Sequence, residues 1–274
     1  MKKITRRSFM AAAGLTVAAL ALTACGGSSS STASSTASSA ASSEAASSSA
    51  AAELTTVEAG KLTMATNATF PPYEMTTDTG AFEGIDVDTA QAIAEKLGLE
   101  LQIDDMEFDA ALLSVQQGKA DIVMAGVTVT DERKAVMDFS DSYATGIQSI
   151  IVPEGSDIAS PDDLAGKKIG TQRGTTGYIY CSDDFGDENV VAYDSGLTAV
   201  QALNNGQVDA VVIDNAPAQE YVAANPGLVV LDTSYAEEDY AIGMAKGSAL
   251  EDAINAALEE LKADGTLQSI VDKY

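Results

Sequence analysis

The chain has 274 residues, of which 41 are acidic, 15 are basic and none is histidine. Four of the basic residues stand at positions 2, 3, 6 and 7, which leaves 11 basic against 41 acidic residues elsewhere, a net charge near −30. A surface of this sign argues against polyanionic partners, so we expect no binding to nucleic acid and no adsorption to anionic lipid. Without histidine the commonest general base and metal ligand is missing. We therefore expect no catalytic residue, no metal and no cofactor.

Residues 1–24 have the pattern of a secretory signal peptide. An apolar run from Phe9 to Leu22 follows the basic residues, is too short to span a bilayer comfortably and ends in small residues. The segment Leu22-Thr23-Ala24-Cys25 resembles the lipobox of bacterial lipoproteins. The resemblance implies that Cys25 receives a diacylglycerol and that the membrane is contacted only through this lipid anchor. An ordinary signal peptide is the alternative, and a short likeness to a twin-arginine signal leaves the export route open.

Residues 25–53 are expected to form a flexible tether after the lipidated Cys25. They are mostly Ser, Ala, Gly and Thr, with almost nothing large to bury. Burial therefore cannot offset the entropy of ordering them, and we expect a disordered linker between a lipid and a folded domain.

The rest of the chain alternates between predicted strands and helices. Strands are predicted at 61–66, 100–103, 121–125, 147–152, 168–171, 190–193, 210–213, 228–231 and 240–244, with helices between them and at 249–263 and 266–273. This alternation predicts an α/β protein with parallel sheets and helices on both faces. The length suits two lobes. We expect the first lobe at 54–146, the second at 147–234 and a return to the first at 235–274, with hinge crossings near 143–150 and 231–237.

One pattern occurs twice. The run from Gln116 to Met124 matches the run from Asn204 to Val212, since each is a helix end, a Gly, an Asp and an apolar strand. Ligands of open α/β sheets bind beyond the carboxyl ends of strands, so two such lobes would face each other across a cleft. Chance similarity of two strand–helix units is the alternative.

A free amino acid needs a site for a carboxylate and an ammonium that lie close together. The carboxylate suits an Arg fork or the N–H groups of a helix start, and the ammonium suits a carboxylate. The segment from Ala125 to Arg133 leaves a predicted buried strand, offers hydroxyls at Thr128 and Thr130, and starts a helix with Arg133 in its first turn. Arg133 is thus a candidate carboxylate clamp, although an isolated Arg in a helix is more often a solvated charge.

This segment, with the run from Met137 to Tyr143 that follows it, resembles the polar amino-acid-binding proteins of ABC importers, known as solute-binding protein family 3. The glutamine-, histidine- and lysine/arginine/ornithine-type receptors belong to this family. The likeness extends in order over residues 60–274, through the motifs Phe70-Pro71-Pro72-Tyr73-Glu74, Gly84-Ile85-Asp86-Val87-Asp88, Ile169-Gly170-Thr171-Gln172-Arg173-Gly174-Thr175-Thr176, Asp209-Ala210-Val211-Val212-Ile213-Asp214 and Asp264-Gly265-Thr266. It implies a two-lobed periplasmic-binding-protein fold of type II with the ligand in the cleft between the lobes.

The resemblance also implies roles at the backbone end of the ligand. Arg133 would hold the ligand carboxylate, helped by the backbone and hydroxyl of Thr128 and by Thr176 at a helix start. The Gly126 carbonyl would accept a hydrogen bond from the ligand ammonium, and Asp214 would pair with that ammonium.

The ligand side chain would lie between Phe70 and Phe108. Asn67 stands where receptors for cationic amino acids, and also the glutamine-type receptors, commonly carry Asp, and Gln172 stands where some relatives reach the ligand side chain. Because a buried cation requires a fixed counter-charge, these two amides predict a polar, uncharged ligand such as glutamine or a cysteine derivative. Basic amino acids are the alternative.

The prediction is therefore an exported receptor that is not an enzyme. It is lipid-anchored to the outer face of the cytoplasmic membrane, or to the periplasmic side of the envelope. It closes around a free amino acid and delivers it to an ABC permease and ATPase complex. We expect a monomer, and a sensor or an enzyme on the same fold is the alternative. Asp86 and Asp88 are expected to cap the helix that follows them. Tyr73, Glu74, Tyr143 or Asp239 is a candidate for a further ligand contact without an assigned role.

Overall fold

The computed structural model describes residues 54–274. The signal peptide, Cys25 and the linker lie outside the described residues and stay predictions. No helix in the described part of the chain is both long and apolar enough to cross a membrane. Residues 54–274 form two lobes, each built on a β-sheet with helices on both faces, as the sequence predicts.

Strands and helices alternate along most of this chain. The strands are β1 Lys61–Thr66, β2 Thr69–Phe70, β3 Glu74–Thr76, β4 Phe82–Glu83, β5 Glu100–Asp105, β6 Ile122–Val123, β7 Met137–Phe139, β8 Ala144–Pro153, β9 Ile169–Gln172, β10 Val190–Tyr193, β11 Ala210–Asp214, β12 Leu228–Val230, β13 Ala236–Tyr240 and β14 Gly243–Ala245. The α-helices are α1 Ile85–Leu97, α2 Phe108–Gln116, α3 Asp131–Val136, α4 Thr176–Phe185, α5 Gly196–Asn204, α6 Asn215–Ala224, α7 Glu251–Ala263 and α8 Thr266–Val271. Two short 3-10 helices lie at Pro161–Leu164 and Asp187–Asn189.

The first lobe contains the sheet β5-β1-β6-β14-β7. β5 and β6 run parallel to β1, whereas β14 runs antiparallel to β6 and β7. β1 is buried on both faces because alternate residues of a strand point to opposite sides. Met64 packs in the cluster that contains Ile93 of α1 and Ile254 of α7, and Ala65 packs in the cluster that contains Ala111 of α2. A small sheet, β2-β3-β4, adjoins this lobe.

The second lobe contains the sheet β10-β9-β11-β8-β12, with β13 pairing along the other part of β8. β10 and β11 run parallel to β9, but β8 is antiparallel to β11, β12 and β13. Both sheets are therefore mixed, and the expectation of parallel sheets is wrong for these strands. Ile150 of β8 packs with Cys181 of α4, while Ile151 packs with Val200 of α5 on the opposite face. Burial raises the pKa of the free Cys181 thiol to about 12, which fits a packing role.

The chain passes between the lobes at two neighbouring segments. It leaves the first sheet after β7 and returns to it between β13 and β14. β8 and β13 pair from Ala144↔Tyr240 to Gln148↔Ala236, so the two crossings lie side by side. β13 pairs with β8, and its Asp239 carbonyl accepts a hydrogen bond from the first-lobe Val129 N–H at 3.0 Å, so β13 itself forms the return crossing, next to the expected 231–237. The lobe boundaries given above stay predictions.

The repeated sequence pattern corresponds to a repeated contact. The Asp121 carboxylate accepts a hydrogen bond from the Thr63 N–H at 2.8 Å, and the Asp209 carboxylate accepts one from the Lys168 N–H, also at 2.8 Å. Each Asp ties the loop before its own strand, β6 or β11, to the neighbouring strand, β1 or β9. Because β6 runs parallel to β1 and β11 runs parallel to β9, the carboxyl ends of each pair lie at the same edge of their sheet.

Candidate functional site

A cleft between the two lobes is lined by residues at strand ends and helix starts. β1, β6, β9 and β11 end near it, and α2 and α4 begin at it. The residues that line it are Asn67, Phe70, Glu74, Phe108, Ala125, Gly126, Thr128, Arg133, Gln172, Thr175, Thr176 and Asp214. All nine binding residues predicted from the sequence thus lie in one cavity, and Glu74, Ala125 and Thr175 join them. Their roles in binding stay predictions.

Arg133 carries a buried positive charge in this cleft. α3 begins after Thr130, whose hydroxyl accepts a hydrogen bond from the Arg133 N–H at 3.2 Å. The guanidinium donates to the Thr128 carbonyl at 2.8 Å and, across the cleft, to the Gly174 carbonyl at 3.1 Å. It also lies over the Phe108 ring, 5.4 Å from the ring centre. No carboxylate among residues 54–274 forms an ion pair with it, so its remaining N–H donors suit an anionic ligand group.

A second buried group, Glu238, holds the two threonine hydroxyls of the cleft. Its Oε2 atom accepts hydrogen bonds from the Thr128 hydroxyl at 3.0 Å, the Thr176 hydroxyl at 2.9 Å and Gln148 Nε2 at 3.0 Å. Glu238 is only 7% exposed although it belongs to an acidic stretch of β13. Thr128 belongs to the first lobe and Thr176 to the second, so a single carboxylate oxygen connects both lobes.

Asp214 ends β11 and is buried at the same cleft. Its Oδ1 atom accepts a hydrogen bond from the Tyr240 hydroxyl, and its Oδ2 atom accepts one from Gln148 Nε2 at 2.8 Å. Burial raises the pKa of Asp214 to about 7, although the Tyr240 hydrogen bond acts in the opposite direction. A nearby ammonium group would favour the ionised form of the Asp214 carboxyl, and the resulting carboxylate would stabilise the ammonium.

Gly126 brings the backbone close to the aromatic wall of the cleft. Its φ of +54° is a conformation that suits glycine, and a Cβ atom there would lie 2.8 Å from the Phe70 ring. The Gly126 N–H donates to Asp86 Oδ2 at 3.0 Å, and Asp86 Oδ1 accepts from the Tyr143 hydroxyl at 2.7 Å. α1 is capped by Gly84 without a side-chain hydrogen bond, so the expectation that Asp86 caps this helix is wrong. Its buried carboxylate holds the glycine turn instead.

Asn67 and Gln172 meet across the cleft. Gln172 Nε2 donates to Asn67 Oδ1 at 2.8 Å, and Asn67 Nδ2 donates to the Met106 carbonyl at 2.9 Å. Both side chains are nearly fully buried. The two amides that predicted a neutral ligand therefore satisfy part of each other's hydrogen-bonding capacity.

Glu74 is the most completely buried charged residue of the cleft lining. It is 0% exposed, and neither of its oxygens accepts a hydrogen bond from a described N–H or O–H donor. Burial raises its pKa well above the usual range, and the neighbouring Asp86 carboxylate raises it further. Such a carboxyl can be kept neutral by sharing a proton with Asp86, or it can be charged if a cation approaches.

Glu74 and Glu238 lacked a predicted role for different reasons. Glu74 stands in the Phe70–Glu74 motif, so its position was visible in the sequence but its orientation was not. Glu238 lies between Glu237 and Asp239, in a run that has the appearance of a solvated acidic surface. β13 alternates, with Glu237 and Asp239 exposed and with Glu238 and Tyr240 buried, and this alternation is the signal that could have revealed Glu238.

Two mixed α/β lobes joined by two adjacent crossings, with buried charged groups in the cleft between them, define a two-lobed solute-binding protein of type II. The model of the bacterial extracellular solute-binding proteins, family 3, matches residues 62–274. The chain belongs to this family, and it is a solute-binding protein of an amino-acid ABC transporter rather than an enzyme. The family acts outside the cytoplasm, and its function implies a free amino acid as ligand and a membrane transporter complex as partner.

Individual relatives differ in the ligand that their names give. A probable histidine-binding protein of Neisseria gonorrhoeae is 34% identical over 96% of this chain and 94% of its own length. The L-cystine-binding protein TcyJ of Escherichia coli K12 is 33% identical over 79% of this chain and 83% of its own. Two solved structures of an ancestral arginine-binding protein, bound to glutamine and bound to arginine, are each 43% identical with a TM-score of 0.75. They cover 78% of this chain and 97% and 98% of their own.

Proposed function

We propose that this protein captures a basic amino acid, arginine in the first place, for its ABC transporter. The observation that carries the proposal is a pair of opposite buried groups in one cleft, Arg133 without an acidic partner and Glu74 without a hydrogen-bond donor among residues 54–274. Buried charges are stable only when they are paired. A ligand with a carboxylate at one end and a cation at the other would pair both.

The backbone end of the ligand would be held by groups that any amino acid can use. Arg133 would clamp the carboxylate in a fork of N–H donors, as a planar guanidinium does. Asp214 would pair with the ammonium, and the Gly126 carbonyl would accept from it. Thr128 and Thr176 would lie beside the carboxylate. These contacts select the class of amino acids but not the side chain.

The far end of the ligand would be selected by Glu74. The aliphatic stem would lie between Phe70 and Phe108, and its guanidinium would reach Glu74 near the Asn67–Gln172 pair. An approaching cation favours the charged form of Glu74, so its proton would leave as the ligand binds. A neutral amide would gain only an uncharged hydrogen bond from the same carboxyl.

Glutamine remains the second candidate. It is the ligand that Asn67 and Gln172 predict, and a protonated Glu74 can donate to a side-chain amide. The ancestral relative with solved complexes of both amino acids supports keeping both candidates. We place arginine first because the two amides already bond to each other.

Binding would proceed by closure of the lobes. The hydrogen bonds from Arg133 to Gly174 and from Gln172 to Asn67 join the two lobes across the cleft. A ligand that touches both lobes adds further bridges, and it favours the closed form by its differential affinity. The transporter would then recognise the closed form.

Arginine and citrulline provide the test because they have the same shape and differ by the charge of the side-chain end. We expect calorimetry on the full chain, refolded to remove carried-over ligand, to show that arginine binds at least about a hundredfold more tightly than citrulline. Such a ratio corresponds to about 2.7 kcal/mol. Glu74→Gln should remove most of this preference. Glu259→Gln, the same change on the exposed face of α7, should leave it intact. Equal affinity of the parent for both ligands would refute the basic ligand.

Attachment to the membrane is proposed from the lipobox resemblance at Cys25, a residue outside the described part. The expected outcome is that the exported protein fractionates with membranes and that Cys25→Ala releases it. Mass spectrometry should find a diacylglycerol on the N-terminal Cys of the parent. Light scattering of the released protein should give a monomer mass.

A further inference from the structure

Glu238 is bound to the groups that the ligand carboxylate is expected to use. Its Oε2 atom lies 3.0 Å from the Thr128 hydroxyl oxygen and 2.9 Å from the Thr176 hydroxyl oxygen. A carboxylate is only an acceptor, so both hydroxyls must donate to it. Gln148 Nε2 donates to the same oxygen at 3.0 Å.

A threonine hydroxyl has one proton to donate. While Thr128 and Thr176 donate to Glu238, they present only oxygen lone pairs to any other acceptor. A ligand carboxylate in the cleft would therefore find the Arg133 guanidinium and backbone N–H groups as donors, but not these two hydroxyls. The two carboxylates compete for the same protons.

Glu238 also competes through its charge. Burial lowers the pKa of the Arg133 guanidinium, and among the charges that oppose this change Glu238 has the largest effect. No ion pair joins the two residues within the described chain, so Glu238 acts on Arg133 across the intervening threonines. An anionic ligand group beside Arg133 would be repelled by the same carboxylate.

We propose that Glu238 is a specificity-determining residue that acts as an internal competitor of the ligand carboxylate. It holds the hydroxyls of Thr128 and Thr176 and weakens the attraction of the cleft for a carboxylate, so that Arg133 and the backbone N–H groups decide the preference for an amino acid over its amide. This inference rests on the proposed binding of a free amino acid in this cleft.

Glu238→Gln tests the proposal because glutamine keeps the size and one acceptor oxygen but removes the charge. Glu237→Gln is the matched control, since the adjacent residue of β13 is exposed and undergoes the same chemical change. All variants are made in the full chain with Cys25→Ala to prevent lipidation. Calorimetry measures the Kd of arginine and of argininamide, which lacks the carboxylate, for each variant.

We expect Glu238→Gln to bind arginine roughly tenfold more tightly, because a neighbouring like charge is removed. The ratio of the argininamide Kd to the arginine Kd should rise by at least the same factor, while Glu237→Gln leaves both values unchanged. A ratio of the argininamide Kd to the arginine Kd that stays constant in Glu238→Gln would overturn the proposal. An equal loss of affinity for both ligands would overturn it as well, because Glu238 would then only stabilise the closed lobes.

Ligand binding by the parent protein shows whether the proposed ligand or the proposed role of Glu238 is wrong. If the parent binds glutamine but not arginine, the proposed ligand is wrong, and the same ratio is measured with glutamine and its α-amide, with the same expected rise. If the parent binds neither, Glu238 has no carboxylate to compete with and its proposed role falls as well.

Discussion

Replacing Gly126 by Ala should reveal how much of the cleft depends on close approach of the backbone. Gly126 has a φ of +54°, and a Cβ atom would lie 2.8 Å from Phe70 Cε1 and 3.4 Å from Tyr240 Cε2. The left-handed conformation costs Ala about 1–2 kcal/mol. Overpacking against two buried rings adds about 1–3 kcal/mol. The free energy of unfolding should therefore fall by about 2–5 kcal/mol.

Gly118→Ala separates these two contributions. Gly118 has a similar φ of +66°, but a Cβ atom there would meet nothing within 4 Å. This control should lose only about 1–2 kcal/mol. At about 2–4 °C per kcal/mol for a domain of this size, Tm should fall by about 4–20 °C in Gly126→Ala and by about 2–8 °C in Gly118→Ala.

Binding distinguishes the two variants further. A methyl group at position 126 displaces the Phe70 ring and the backbone carbonyl beside it, so amino-acid affinity should fall at least about tenfold, or about 1.4 kcal/mol. Gly118→Ala should bind like the parent. Urea unfolding and calorimetry measure both effects. Equal stabilities of the two variants, together with unchanged affinity, would refute the reasoning about close approach.

Two further predictions concern charge. Arg133→Ala should weaken amino-acid binding by about 2–5 kcal/mol, as expected when one partner of a buried charge pair is removed. Lys134→Ala on the exposed side of α3 should leave the affinity unchanged. Equal affinities of the two variants would contradict the role of Arg133 as the carboxylate clamp. Burial raises the pKa of Asp214 to about 7 and that of Asp86 to about 6, above the value near 3.9 of an unfolded Asp. Between about pH 4 and 7 the native chain then holds more protons, so the free energy of unfolding contributed by these groups falls as pH rises. Affinity for the ligand ammonium should rise over the upper part of this range, because it needs the charged Asp214. With citrulline as the ligand, whose neutral side-chain end does not draw the proton from Glu74, Asp214→Asn should flatten the affinity profile measured by calorimetry. An unchanged slope would contradict the assignment of Asp214 to the ligand ammonium.

The fold could be predicted largely from the sequence because its elements obey local rules. A strand buried on both faces and a helix that stops at glycine leave patterns in a few neighbouring residues, as in β1 and at Gly98, where α1 ends with a φ of +70°. Strand direction leaves no such pattern. β8 and β13 are apolar or alternating segments whose antiparallel pairing depends on where the chain crosses between lobes, and this was not predicted.

The cleft also contains some features that local sequence predicts and others that it does not. Motif resemblance located Arg133, Asp214 and Phe70, because each stands in a stretch of residues that is recognisable as a unit, and the resemblance of the chain as a whole located Phe108. The network around Glu238 could not be found in this way. It joins Thr128 and Thr176, which are 110 and 62 positions away, and only the folded chain brings them together.

The burial of Cys181 also makes the protein suitable as a fluorescent reporter. With Cys25 replaced, the full chain has no other thiol, and a fully buried thiol with a raised pKa reacts slowly with labelling reagents. Cysteines introduced at Leu113 on α2 and Ile179 on α4 would be exposed, one on each lobe. A donor and an acceptor dye at these positions would convert closure of the cleft into a change of energy transfer, and the concentration of a free amino acid could be read optically.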